Sequence, residues 1–309
     1  MRRSISLFTG LLIAMSGLAM AGPVKTVAVS APSAEGPLLA YKNAESNLKA
    51  SLSTLARYES FDALPTDRDG TQYAPDAAMN LRFRISADYR HTFQKYIWLD
   101  ANFEHDVYTG VPYGGFEDDR FIDPQDAPGG EGQLRKAKLA MRLGYVAFGG
   151  GVTTSQWGLG LLANSGDHGW APGNANFSDP RSGDRVLRGY VLVGPITPLK
   201  LALSVAYDEV LGDDVLVDDD EATQLITALM INPRGDRTAG IYTAFRTQDH
   251  GGGKTTDVTA IDVYGKWTQK VGSHYPLVTA LEVATVTGET DLGPNPDYPS
   301  HDIAQVGAV

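Results

Sequence analysis

Cysteine is missing from all 309 residues of the chain. Its absence excludes a disulfide framework, a thiolate metal site and the acylated cysteine of a lipoprotein. Long apolar runs are missing too: beyond Gly22, Lys, Arg, Asp or Gly interrupts every candidate for a membrane-spanning helix. This says nothing against strands that cross a membrane, because half of their residues face a polar lumen and the hydropathy trace is weak. Positive charge is in short supply, with 26 Lys and Arg against 37 Asp and Glu and a formal charge of −11. A nucleic-acid partner would call for a basic stripe, and none is present.

The N-terminus is what the sequence has instead. Arg2 and Arg3 precede a mostly apolar stretch from Leu7 to Leu18, followed by Ala19, Met20 and Ala21 before Gly22. That is the layout of a secretory signal with a small-residue cleavage site. The apolar part is too short for a membrane span, which needs roughly 20 residues. Residues 1–21 are therefore expected to be a removed, Sec-type signal peptide, leaving a mature charge of −13 from the initial −11 once Arg2 and Arg3 are lost. Export without cysteine suits a bacterial envelope protein. Residues 22–46 mix Pro, Ala, Ser and Val without a sustained period and read as a periplasmic leader, with the β domain over 47–309.

The strongest pattern lies at 79–89. Met79, Leu81, Phe83, Ile85, Ala87 and Tyr89 alternate with Asn80, Arg82, Arg84, Ser86 and Asp88, and after a break at 91–95 Ile97, Leu99, Ala101 and Phe103 alternate with Trp98, Asp100, Asn102 and Glu104. Successive side chains on a strand point to opposite faces, so this is a hairpin with one apolar and one ionic face. A soluble sandwich and a membrane barrel both produce such a hairpin. The same alternation recurs at 48–58, 137–145, 157–161, 187–193, 199–207, 223–231, 239–245, 261–267 and 277–287, then at 303–309. Gly149, Gly150 and Gly151 read as a tight turn, since glycine accepts positive φ.

Connection lengths separate the two architectures. The breaks at 91–95, 149–151, 194–198, 232–237 and 270–274 are short, and those between them are longer and polar. Strict short–long alternation belongs to transmembrane barrels, whose periplasmic turns are tight and extracellular loops long. Strands of about ten residues match a tilted crossing of the hydrocarbon. The predicted fold class is all-β, an antiparallel up-and-down transmembrane β-barrel with about twelve strands in this chain, starting with the one at 48–58. The last strand breaks off without a terminal aromatic residue, so a fragment of a larger barrel is expected.

The signal peptide, the alternating strands and the stretch Trp157, Gly158, Leu159, Gly160, Leu161, Leu162, Ala163 and Asn164 after a glycine turn resemble porin-like outer-membrane barrels of Gram-negative bacteria. The likeness covers most of the chain after Leu48 as architecture. It implies an outer-membrane location, a channel-like body and, as partners, outer-membrane lipid, lipopolysaccharide, the barrel-assembly machinery and small solutes.

Charges on the polar parity are the candidate pore-lining residues. They are Arg82, Arg84, Asp100, Asn102 and Glu104 on the first hairpin, Lys136, Lys138 and Arg142 on the next strand, and Arg246, Asp262 and Lys266 further on. Symmetric pairing about the 91–95 break would set Arg82 opposite Glu104 and Arg84 opposite Asn102. Opposed basic and acidic rows give a transverse field that biases which ions enter a pore; alternatively the pairs only satisfy one another in a wet wall. The acidic run at 213–221 lacks the spacing and central glycine of a calcium loop and reads as a solvated charge run. Gly251, Gly252, Gly253, Lys254 and Thr255 imitate a phosphate loop, but Gln248 stands where its first glycine belongs. Asp167 and His168 beside Ser165 are the nearest approach to a hydrolytic cluster, and His91, His105, His250, His274 and His301 share no spacing with one another. No cofactor and no catalytic residue is expected; the expected function is passive diffusion of small hydrophilic solutes or ions, with a barrel hydrolase or a plugged structural or adhesin barrel as the alternative.

Overall fold

The computed structural model describes residues 25–29, 39–42, 45–60, 64–65, 72–73, 77–113, 132–165, 184–212, 220–233, 235–272, 275–292 and 300–309, with the strand path alone at 25–29, 39–42, 55–82 and 108–113. Sixteen strands occur among them and no helix: β1 (Lys25–Val29), β2 (Leu39–Lys42), β3 (Ser46–Ser60), β4 (Leu64–Pro65), β5 (Gln72–Tyr73), β6 (Ala77–Gln94), β7 (Ile97–Tyr113), β8 (Gly132–Leu143), β9 (Val146–Thr154), β10 (Arg185–Ile196), β11 (Leu201–Gly212), β12 (Glu221–Ile231), β13 (Arg237–Asp249), β14 (Thr255–Val271), β15 (Tyr275–Thr290) and β16 (His301–Ala308). β3 and β6 to β16 are twelve antiparallel strands in up-and-down order within one sheet, as expected from the alternation. β1 and β2, in the segment read as a leader, both pair with β3. The hydrogen-bonded order runs from β1 to β16 and does not return to its start, so a closed barrel is not what the described residues form. β4 and β5 make a separate two-stranded ladder.

The chain falls into two compact units, Met1–Tyr41, Leu48–Ala87 and Glu104–Leu134 in one, and Lys42–Asn47, Asp88–Phe103 and Arg135–Val309 in the other. In the second unit the alternation has a definite outcome. On β15 Leu281 is 58% exposed and its neighbour Glu282 is 0% exposed. β11, β13 and β14 repeat the pattern: Leu203, Tyr207, Ile241, Phe245, Ile261 and Val263 are exposed, while Asp208, Tyr242 and Asp262 are buried. Aliphatic side chains stand on the open face of this sheet and charged ones on the covered face. That inverts the arrangement of a water-soluble sheet.

Three turn positions differ from the sequence expectation. The β6–β7 turn is at Lys95 and Tyr96, at the far end of the 91–95 break, because the apolar parity continues through Phe93. β8 and β9 turn at Gly144 and Tyr145, where Gly144 takes φ 61°. Gly149, Gly150 and Gly151 lie inside β9, opposite Ala140, Leu139 and Lys138. Their role is close approach: a Cβ on Gly151 would run into the Ala137 carbonyl oxygen, and its φ of 125° is one that L residues rarely adopt. At the β12–β13 turn Asn232 adopts φ 49° and its Nδ2 donates to the Arg237 carbonyl at 2.9 Å, a conformation Asn tolerates through such local bonding. The β13–β14 connection, 250–254, is as tight as the turn at 232–236, so short and long connections do not alternate there.

The largest departure concerns 157–161, expected as a strand. β9 ends at Thr154, and after a last backbone bond from the Ser155 amide to the Asp184 carbonyl at 3.0 Å the chain leaves the ladder, with no strand over 155–165. Gly158 and Gly160, at φ 50° and 95°, bend the chain away from an extended path.

Gly151→Ala should lower stability by about 1–3 kcal/mol, the scale for forcing a side chain into a disfavoured backbone region. Gly189→Ala, where an added Cβ meets nothing within 4 Å, should leave stability within about 0.5 kcal/mol. Urea unfolding in detergent, followed by tryptophan fluorescence, separates the two.

Candidate functional site

In the first unit, Arg84 is 7% exposed and makes a two-pronged ion pair with Asp106, Nε to Oδ1 at 2.6 Å and Nη2 to Oδ2 at 2.7 Å. Glu104 stands 3.5 Å from Arg84 Nη1. Asp106 is fully buried. Desolvated charges persist only when paired and hydrogen-bonded in this way. The expected partner of Arg84 was Asn102; moving the turn from 91–95 to Lys95 and Tyr96 moves the partner further along β7. Asn102 instead donates to Asp88 Oδ1 at 2.5 Å. Arg82 lies on β6, and its side chain is outside the described residues.

In the second unit, Arg90 pairs with Asp100 near the β6–β7 turn, and Trp98 is flanked by the guanidinium groups of Arg90 at 5.6 Å and Arg142 at 5.2 Å. Arg142 also donates to the carbonyls of Gly144 and Gly194. Lys136 and Lys138 are half-buried on β8. Lys266, opposite Thr238 near the C-terminal end of β14, is exposed.

Register assembles a polar row that no single strand reveals. Arg188 on β10 lies opposite Asp208 on β11, Asp208 opposite Gln224 on β12, and Gln224 opposite Arg246 on β13. Arg188 holds fully buried Asp208 through Nε to Oδ1 at 2.7 Å and Nη2 to Oδ2 at 2.6 Å, and Gln224 Nε2 donates to the same carboxylate at 2.9 Å. Arg188 Nη2 also donates to Ser155 Oγ at 2.9 Å, which starts the segment that leaves the ladder.

That segment, 155–165, lies on the charged face and converts it into a small core. Trp157 packs against Tyr242 with ring centroids 5.3 Å apart and rests on Gly240, where a Cβ would come within 2.8 Å of the indole. Its Nε1 donates to Asp262 Oδ1 at 3.1 Å. Leu159 and Ala163 join Ala206, Ile226, Ala244 and Tyr264 in the same apolar cluster. Small residues at these sheet positions make the platform flat enough for the segment to lie down.

Glu282 locks it in place. Its Oε2 accepts from the Leu159 amide and its Oε1 from the Leu161 amide, at 3.1 Å for the second. Both amides sit in the bend created by Gly158 and Gly160, whose backbone turns successive N–H groups towards one carboxylate. Asp262 Oδ2 beside them is buried without a donor. Within the segment, Trp157 N donates to the Ala163 carbonyl at 3.0 Å and Gly160 N to the Trp157 carbonyl at 2.9 Å.

Sequence reasoning identified the polar parity and so reached Arg84, Asp100, Asn102, Glu104, Arg142, Arg246 and Asp262. It passed over Asp106, Arg188, Asp208 and Glu282. Their signal was present as charges on the polar parity of successive strands, but their partners depend on register. Ser165 is buried, its carbonyl accepting from Arg135 and its N donating to Gln156 Oε1 at 2.9 Å, while Asp167 and His168 lie outside the described residues. So does most of the acidic run at 213–221. Gly251, Gly252 and Gly253 form a hairpin turn between β13 and β14 with no helix behind it. Among the described residues no cluster of three His, Asp or Glu side chains is placed to hold a metal ion.

Glu282→Gln keeps the shape, removes the charge and replaces one of the two acceptors with an NH2 that cannot accept from an amide. Hydrogen bonds to charged groups contribute about 1.5–3 kcal/mol against 0.5–1.5 for neutral ones, so amide exchange over 157–164 should accelerate by roughly 10-fold or more. Hydrogen–deuterium exchange with mass spectrometry reads this, and β11 should be unaffected. No family model matches the chain, and no curated protein matches it either, so its functional reading rests on this geometry.

Proposed function

We propose that the protein is an outer-membrane, porin-like barrel that passes small hydrophilic solutes or ions by diffusion, with the segment 155–165 narrowing its bore. The observation that carries this is the inverted burial of the sheet. In the second unit the exposed face holds Leu187, Leu203, Phe245, Ile261, Val263 and Leu281, all more than 40% exposed, while carboxylates on the other face are fully buried. Water gives no reason for that arrangement; hydrocarbon does, because the lipid-facing residues of a barrel are apolar and the lumen-facing ones polar.

Aromatic residues support the same reading. Tyr96, Tyr145, Trp267 and Tyr275 are at least 50% exposed and lie at or beside the turns at Lys95 and Tyr96, Gly144 and Tyr145, and near Gly272. The Arg237 guanidinium covers the Trp267 ring at 4.6 Å. Amphipathic rings gathered at one end of the strands are what a membrane–water boundary selects. Within hydrocarbon an open sheet edge leaves N–H and C=O groups unsatisfied at several kcal/mol each, so function as proposed requires both edges of the sheet to be paired in the membrane.

Planar-bilayer recording of the full chain refolded in detergent tests this. Steady ion-permeable steps are expected, with larger unit conductance when residues 157–162 are replaced by a short Gly–Ser linker. Arg84→Ala should shift the reversal potential towards cation selectivity, because Asp106 and Glu104 lose their cation. A chain that inserts but passes no current, with or without the linker, would overturn the channel and leave a plugged barrel. A chain that stays in the aqueous phase would overturn the membrane reading itself.

A further inference from the structure

We infer that Asp220, His250 and Thr256 form a nucleophilic triad, and that the cavity beside it hydrolyses carboxylic esters with an apolar acyl group. His250 Nδ1 lies 2.8 Å from Asp220 Oδ2, and His250 Nε2 lies 2.8 Å from Thr256 Oγ1. A hydroxyl, an imidazole and a carboxylate in line is a constellation recognised by geometry and roles rather than by sequence order. The three arrive from different places: Asp220 just before β12, His250 just after β13 and Thr256 at the start of β14.

The hydrogen bonds around the three run in one direction. Asp220 Oδ2 also accepts from Gln248 Nε2 at 2.7 Å, and Gln248 Oε1 accepts from Arg246 Nη2 at 2.7 Å, so the carboxylate is held from two sides. Facing a carboxylate, Nδ1 keeps the ring proton in the neutral imidazole and leaves Nε2 to accept from the threonine. Thr290 Oγ1 is 2.6 Å from Thr256 Oγ1 and itself accepts from the Leu292 amide at 3.2 Å. With the Thr256 proton directed at His250 Nε2, Thr290 is the partner left to donate between the two hydroxyls, and its proton supports negative charge developing on the attacking oxygen.

Thr256 lines a cavity of about 460 Å³ between the inserted segment and the sheet. Leu161, Leu162, Val258, Val286 and Ile303 make most of its wall apolar, while Arg246 and Asp184 bring one charge of each sign into it. An apolar pocket with a few convergent polar groups is the form small-molecule sites take. An acyl chain fits the wall, and the guanidinium suits the tetrahedral oxyanion.

The reaction balances without another reagent. Thr256 Oγ1 bonds to the carbonyl carbon as its proton passes to His250 Nε2; the ester C–O bond breaks and the alcohol leaves with that proton. Water then attacks the acyl-threonine, His250 takes and returns its proton, and the carboxylic acid leaves with Thr256 restored. This activity is separate from diffusion through a bore and stands or falls independently of it.

The test uses the folded full chain in detergent, p-nitrophenyl esters from acetate to decanoate, and a fluorophosphonate label. Hydrolysis is expected, falling on the order of 100-fold in Thr256→Val and His250→Ala and retained in Thr256→Ser, consistent with loss of the nucleophile or of general-base catalysis. Mass spectrometry should place the label on Thr256. A wild type that hydrolyses no ester faster than the protein-free detergent blank and takes no label would reduce the three residues to a clamp joining β12, β13 and β14. Labelling of another residue, with turnover undiminished in Thr256→Val, overturns the assignment equally. Turnover and the labelled position are both read on folded wild type, so the test keeps its force even where a variant fails to fold.

Discussion

The antiparallel ladder pairs β11 to β15 residue for residue and β10 with β11 in one register from Val186 to Val193, with shifts only at the two ends of β10, and the register so set decides which side chains can meet. A slip of one residue would exchange the two faces of a strand, placing Leu281 where Glu282 is and Val263 where Asp262 is. A slip of two would keep the faces and scramble the partners. Arg188 finds Asp208, and Asp208 finds Gln224, only in the observed alignment. Charges buried on that face tolerate no such error, since breaking a buried pair costs about 3–5 kcal/mol. Polar residues therefore enforce here the uniqueness that close packing of aliphatic side chains enforces in a water-soluble core.

The charged face does not remain bare. Its central positions are small or apolar, Ala206, Ala228, Ala244 and Ala260 among them, and Trp157, Leu159 and Ala163 settle on this strip. Glu282 and Asp262 supply acceptors at its edge for the Leu159 and Leu161 amides and for the indole. One segment thus joins an aromatic anchor, a carboxylate lock and an arginine contact at Ser155. If the sheet closes in a membrane as proposed, this segment occupies the bore; if it does not, the same contacts still organise the unit to which 155–165 belongs.

No local pattern marks the histidine of the proposed triad. His250 shares no spacing with the other histidines, and Asp220 belongs to an acidic run that reads as solvated. Thr256 sits behind a glycine cluster whose likeness to a phosphate loop is accidental. Folding the β13–β14 hairpin and laying β12 alongside brings the three within hydrogen-bonding distance, at positions separated by 30 and 6 residues. Contacts of that kind depend on strand pairing, and no local pattern encodes them.

Side-chain alternation placed every strand of the up-and-down series except β9, because a period of two needs no knowledge of distant residues, and the connection lengths supplied the order. It placed Arg84, Glu104 and Asp262 each on the polar parity of its own strand. Tertiary structure decided the rest. The turn at Gly144 rather than at Gly149 follows from which glycine must approach β8, and the departure of 155–165 from the ladder follows from a seat built by β10 to β15. Period-two reasoning cannot separate a strand such as the expected 157–161 from a bent segment of the same composition. The apolar residues of both alternate, and only the positive φ of Gly158 and Gly160, with the carboxylate of Glu282 waiting across the sheet, turns one into the other.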